Sequence, residues 1–243
     1  MTPARRRGLW ILIAIIAAGL IAAVVARESG PRPLPPRPPN ERPTLLLLTS
    51  LPLVFGEDFS IEHNGSPAVA ALQTRYHVVP ISVADSGELA KGRLLLMAQP
   101  LAQPAEDLVA LDDWVRRGGR VVLLADPALE WPSSRPLGDL LRPATMFMDS
   151  GLLGHWGLRL DAPDKRGPAV RKLGGFDVLT ISPGTLVGRC DISHDRFVAR
   201  CAVGKGAASV VADADLLDTS ELGSNASHNL DGLLAELGTL DRR

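Results

Sequence analysis

Acidic and amide side chains gather where the apolar runs of this chain stop. Gln99 follows LLLMA, Asp126 follows VVLLA, and Asp213 and Asp215 follow SVVA. Glu57 closes the segment LPLVFGE, while Asn225, His228 and Asn229 stand in the polar stretch before the last apolar region. If the runs are strands of a parallel sheet, all of these residues lie near carboxyl ends of strands or helix starts, where such sheets bind ligands. Carboxylates there could serve as the acid and base of a hydrolase, or line a polar cleft for a small molecule or a cell-envelope fragment. The competing reading is that Asp126, Asp213 and Asn225 satisfy backbone donors in turns, as these residue types do routinely.

Other chemistries find less support. The five His residues, at 63, 77, 155, 194 and 228, include no pair at helical ligand spacing. Glu57, Asp58, Glu62 and His63 form an oxygen-rich loop, but their spacing matches no metal motif, so no metal or other cofactor is expected. Gly204-Lys205-Gly206 lacks the rest of a phosphate loop, and no G-x-S-x-G elbow occurs. Two Cys residues are too few for a four-thiolate zinc site. A net charge of −1 excludes the basic footprint of a nucleic-acid binder.

That near-zero charge averages unlike parts. Residues 1–43 carry a net +5, with seven Arg against two Glu, which leaves −6 on the other 200. Leu9–Ala26 is an uncharged run of 18 residues preceded by Arg5, Arg6 and Arg7. The expectation is a cytoplasmic basic tail over 1–8 and a transmembrane helix over 9–26, with the amino terminus inside. A cleaved signal peptide processed near Ala26 is the alternative. Residues 27–43 hold seven prolines and read as an extended polyproline stalk. One domain of about 200 residues, 44–243, would follow.

Within that domain, Leu45–Leu48, Leu94–Met97, Val121–Leu124 and Val210–Val211 are continuous apolar runs, the mark of strands buried on both faces. Helices are expected after Ser66-Pro67, from Pro104 to Gly118-Gly119, from Leu137, Leu140 and Leu141 through to Trp156, and around Leu230, Leu233, Leu234 and Leu237. Thr185–Val203 reads as an antiparallel hairpin turning at Asp195-Arg196. That register sets Cys190 opposite Cys201, at a separation a disulfide could bridge; two free thiols are the alternative.

The segment GRLLLMAQPLAQPAEDLVALDDWVRRGGRVVLLADPALEWP (Gly92–Pro132) resembles the auxiliary proteins of gliding-motility-type ABC transporters. It is similar also to a related bacterial membrane-anchored family whose domain resembles class I glutamine amidotransferases. LQTRYHVVPI (Leu72–Ile81), HWGLRL (His155–Leu160), GKGAASVVADADLL (Gly204–Leu217) and SNASHNLDGLL (Ser224–Leu234) extend the resemblance over most of residues 44–238. It implies a flavodoxin-like fold, a mostly parallel sheet sandwiched by helices, held in the periplasm by a single inner-membrane anchor.

Amidotransferase chemistry needs a nucleophilic thiol at the turn after a central strand, and Ala125-Asp126-Pro127 has none there. The first expectation is therefore a non-catalytic periplasmic accessory protein of an envelope complex, such as an ABC transporter, with the membrane and membrane proteins as partners. The alternative is a periplasmic hydrolase using the acidic residues at the strand ends.

Overall fold

A computed structural model of the chain describes residues 30–54, 65–136, 138–139, 141–219, 223 and 226–242. The expected basic tail, the Leu9–Ala26 run, Glu57 with its oxygen-rich loop, and Asn225 lie outside them. The chain divides into two units, Met1–Pro33 and Leu34–Arg243. In the first, only Gly30–Pro33 is described, without helix or strand.

The second unit is built on the apolar runs. β1 (Thr44–Thr49), β2 (His77–Ile81), β3 (Leu94–Ala98), β4 (Arg120–Leu124) and β11 (Gly206–Val211) lie parallel in one sheet. Leu45–Leu48, Leu94–Met97 and Val121–Leu124 are all at most 4% exposed, which explains their lack of polar alternation. β10 (Val198–Val203) and β9 (Asp191–Ile192) extend the sheet antiparallel, giving the order β2-β1-β3-β4-β11-β10-β9. Two small antiparallel sheets stand apart: β5 (Leu158–Asp161) with β8 (Thr185–Gly188), and β6 (Pro168–Leu173) with β7 (Phe176–Ile181).

Helices begin where the sequence supplies caps. Ser66 accepts the Val69 N–H at the start of α1 (Pro67–Gln73), with Pro67 in the first turn. Asp85 does the same for Glu88 in α2 (Ser86–Leu89), at 2.7 Å. α3 (Ala105–Arg116) carries Glu106 and Asp107 in its first turn and ends at Gly118-Gly119. α4 (Leu152–His155) is one turn, and α5 (Ala226–Asp241) buries Leu233, Leu234, Leu237 and Leu240. Glu236 of α5 is 1% exposed and takes both Arg200 Nε at 2.8 Å and Nη2 at 2.6 Å, plus the Ser209 hydroxyl at 2.5 Å. That fork ties α5 to β10 and β11, whose residues these are.

The structure corrects several expectations. The flavodoxin-like, mostly parallel sandwich gives way to a mixed sheet with two satellite sheets, because β10 returns into β11 through the two-residue turn Gly204-Lys205. Among the described residues, which do not include Leu9–Ala26, no helix is long and apolar enough to cross a membrane. The helix expected from Leu137 to Trp156 is only α4. Pro143 removes a backbone donor and disfavours helical geometry at Arg142, so the chain from Leu141 to Ser150 is irregular. The single hairpin over Thr185–Val203 is also divided, since β8 pairs with β5 and only β9 pairs with β10. The change of partner falls at Gly188, where a Cβ would stand 2.2 Å from the Gly157 carbonyl oxygen. In the β9–β10 ladder Asp191 faces Arg200, and the adjoining Cys190 and Cys201 are joined by a disulfide with Cα atoms 4.8 Å apart.

Gly206 sets how closely β11 approaches the end of α3. A Cβ there would lie 2.0 Å from the Val115 carbonyl oxygen and 2.4 Å from that of Gly119, both backbone atoms. Gly206→Ala should therefore cost about 2–3 kcal/mol and lower Tm by roughly 5–10 °C. A thermal melt unchanged from the parent chain would contradict this close packing.

Candidate functional site

Gln99, Asp126, Asp213 and Asp215 come together beyond the carboxyl ends of β3, β4 and β11, each at most 1% exposed. The parallel ladder is responsible: Ala98 pairs with Leu124, and Leu124 with Val211, so the residues that follow these strand ends must meet. Gln99 has φ of +44°, a left-handed conformation that few non-glycine residues adopt. Its side chain holds it there. Oε1 accepts the Asp126 N–H at 2.9 Å, and Nε2 donates to the carbonyls of Asp126 at 3.1 Å and Ala144 at 3.0 Å.

Asp126 is a latch. Its Oδ1 accepts Ala128 N–H at 2.8 Å, and Oδ2 accepts Ala214 N–H at 3.0 Å and Asp215 N–H at 3.4 Å. Asp213 Oδ1 accepts the Leu216 N–H at 2.9 Å, and Asp215 Oδ2 accepts that of Glu130 at 2.9 Å. Asp213 Oδ2 and the neighbouring Thr180 Oγ1 are both buried outside strict hydrogen-bond geometry, and the Thr180 hydroxyl acts on Asp213 as a side-chain donor. Residues Ala144–Phe147 lie across this end, with Thr145 O accepting from Leu129 N and Phe147 N donating to Asp126 O.

One oxygen from each of the three carboxyls falls within 4.8 Å of the others. Three adjacent negative charges out of water are strongly unfavourable, so protons or a cation must offset them. Backbone N–H groups already occupy both oxygens of Asp126 and one each of Asp213 and Asp215, which leaves too few for the six to eight ligands of a calcium shell. Protons are the better fit. Burial, and then the charge of Asp126, pushes Asp213 well above the usual carboxylate range. Burial raises Asp215 to about 7, with the Asp126, Glu130 and Asp218 charges adding to the shift. Burial raises Asp126 too, and its three backbone donors offset only part of the rise.

The remaining candidates do other work. Asn229 spends its amide on the backbone: Oδ1 accepts Leu179 N–H at 2.8 Å, and Nδ2 donates to Leu179 O and Leu216 O at 2.7 and 2.9 Å. It pins α5 to β7 and to the turn after β11. His228 is exposed and outside the cluster. Sequence reading missed Glu130, Ser182 and Thr180. Ser182 is buried with φ of +50° and donates to Glu130 Oε1 at 2.6 Å. No local motif marks these three; their position follows from the satellite sheet folding back over the strand ends.

No family model matches the chain, and no curated protein matches it. Solved structures do share its fold. An exo-beta-1,4-mannosidase from Opitutaceae bacterium strain TAV5 aligns with a TM-score of 0.52 at 12% identity, over 81% of this chain and 36% of the mannosidase. The chain thus spans about a third of that enzyme's length. A cytoplasmic protein from Salmonella typhimurium LT2 aligns with a TM-score of 0.52 at 12% identity, over 81% of this chain and 99% of its own. Another from Salmonella typhimurium gives 0.51 at 10% identity, over 82% and 98%.

These findings correct the expectations of a membrane-anchored periplasmic pseudoenzyme with an amidotransferase-like domain. Placement in the inner membrane finds no support among the described residues, where no helix is long and apolar enough to span a bilayer. The non-enzyme expectation rested on a missing thiol after β4. The same turn instead carries Asp126, one of three buried carboxyls gathered within 4.8 Å of one another.

Asp126→Ala leaves three backbone donors without their acceptor and should cost roughly 3 kcal/mol or more, read as a fall in urea midpoint. The raised carboxyls also fix a sign for pH. Because Asp215 binds its proton more tightly folded than unfolded, its contribution is present below pH about 4 and is lost as pH rises towards about 7. Tm should fall across that window, and Asp215→Asn should flatten the fall. An unchanged pH profile in the variant would refute the assignment.

Proposed function

We propose that the chain is a hydrolase whose acid and base are the carboxyls at the ends of β4 and β11. The observation that carries this reading is the meeting of three buried carboxyls, Asp126, Asp213 and Asp215, with one oxygen of each within 4.8 Å of the others. Asp213, kept protonated, donates to the leaving oxygen. Asp215, raised to about 7, is matched to general-base work near neutral pH and takes a proton from the attacking water. Asp126 is a positioning residue; its charge, held by backbone N–H groups, raises both partners. Substrate reaches the carboxyls by displacing Ala144–Phe147, which is held over them by the Gln99 and Asp126 contacts. Fold likeness to the mannosidase supports glycosides as the first substrate class to examine.

The test is turnover of a panel of aryl glycosides and aryl esters by the full chain. Asp213→Asn and Asp215→Asn should each lower kcat by about 100-fold or more, with Tm at neutral pH unchanged or raised. A panel that yields no turnover, or Asn variants with parental kcat, would overturn the reading.

A further inference from the structure

The opposite end of the sheet has the opposite chemistry. β1, β3 and β4 start side by side, with Leu45 paired to Leu94 and Leu94 to Arg120. Their amino ends and the last turn of α5 enclose a cavity of about 560 Å³. Lys91, Arg93, Arg120 and Arg242 line it, with Asp241 as the lone acid.

Two of these charges are already neutralised. Asp241 pairs with Arg37 at 2.5 Å, and Lys91 with Glu88 at 2.5 Å. The three guanidiniums are not. Arg120 gives one N–H to the Lys205 carbonyl at 3.1 Å, and neither it, Arg93 nor Arg242 pairs with a carboxylate among the described residues. The carbonyl end of α5 favours a cation nearby, which accounts for Arg242 but not for Arg93 or Arg120, which belong to the strand edges. Residues 44–243 carry a net −6, so this concentration of unpaired positive charge runs against the domain's own balance. Gly92 and Gly118 contribute wall without side chain; a Cβ at Gly118, where φ is +119°, would stand 3.5 Å from Arg93 Nη2.

We propose that this cavity binds a phosphate-bearing ligand, with Arg93 and Arg120 as its main donors. Planar guanidiniums offer paired N–H groups that match phosphate oxygens, and a concave site with surplus positive charge strengthens the attraction. The phosphate could belong to a free phosphomonoester or to a lipid headgroup, and the two sources are separable. The site is remote from the carboxylate cluster and stands or falls independently of the hydrolase reading.

Isothermal titration of the full chain with glycerol 3-phosphate, alongside flotation with phosphatidylglycerol vesicles and with phosphatidylcholine vesicles, tests it. Saturable binding to one of the two phosphate probes, weakened at least tenfold by Arg93→Gln with Arg120→Gln, is the expected result. Calorimetric binding assigns a free phosphomonoester; flotation with phosphatidylglycerol but not phosphatidylcholine, lost in the same variant, assigns a headgroup. Arg93→Gln alone, in which the part-buried Arg120 is untouched, keeps the test valid if the double variant unfolds, with at least a threefold loss expected. Asp213→Asn should bind like the parent. No binding to either probe, or binding insensitive to these arginines, would overturn the proposal.

Discussion

The carboxylate of Asp126 is the constraint around which the strand ends are organised. Buried and charged, it must find donors, and it takes them from Ala128, Ala214 and Asp215 on two different loops. Gln99 completes the arrangement by matching both backbone groups of Asp126 with its amide. Three neighbouring strands are thus sewn together at one end by a single acid and a single amide. Hydrogen bonds to a buried ion are worth more than neutral ones, and leaving such donors unmatched is costly, so this junction has little freedom to shift.

Rigidity at that junction has consequences further out. With the exits of β4 and β11 fixed, the chain between them must leave and return to the same place. It does so through Leu141–Ser150, α4 and the two satellite sheets, whose inner residues Leu153, Leu173, Val178 and Leu186 are fully buried. Asn229 and Glu236 then fasten α5 to this excursion and to the main sheet, one through backbone amides and one through a forked ion pair. Polar groups, fully matched, specify the layout, while the leucine-rich strands supply the bulk of the buried apolar area.

Much of this was legible in the residues. Continuous runs such as Leu45–Leu48 announce strands covered on both faces, and Ser66-Pro67 announces a helix start. The carboxylates could be placed together because parallel strands share an exit edge. What escaped were features decided by competition between distant segments. The hairpin of β6 and β7 does have a local signal, alternating exposure and a Gly174-Gly175 turn with φ of +58° and +95°, but it competes with a longer apolar context. The helix over Leu137–Trp156 had the right apolar content, yet Pro143 and the Phe147–Asp126 contact divert it. Glu236 sits among leucines, and nothing nearby foretells that Arg200 and Ser209 will surround it.

The structural and catalytic readings of the cluster are separated by what each acid does with its charge. Asp126 uses both oxygens on backbone donors, so its ionised form returns bonding that an amide could only partly reproduce. Asp213 is different. One oxygen accepts from Leu216, a bond that the carbonyl of an Asn would make equally well, and the carboxyl also faces the Thr180 hydroxyl. An amide would serve that bonding as well, so what the acid adds at this position is a transferable proton held beside two further carboxyls.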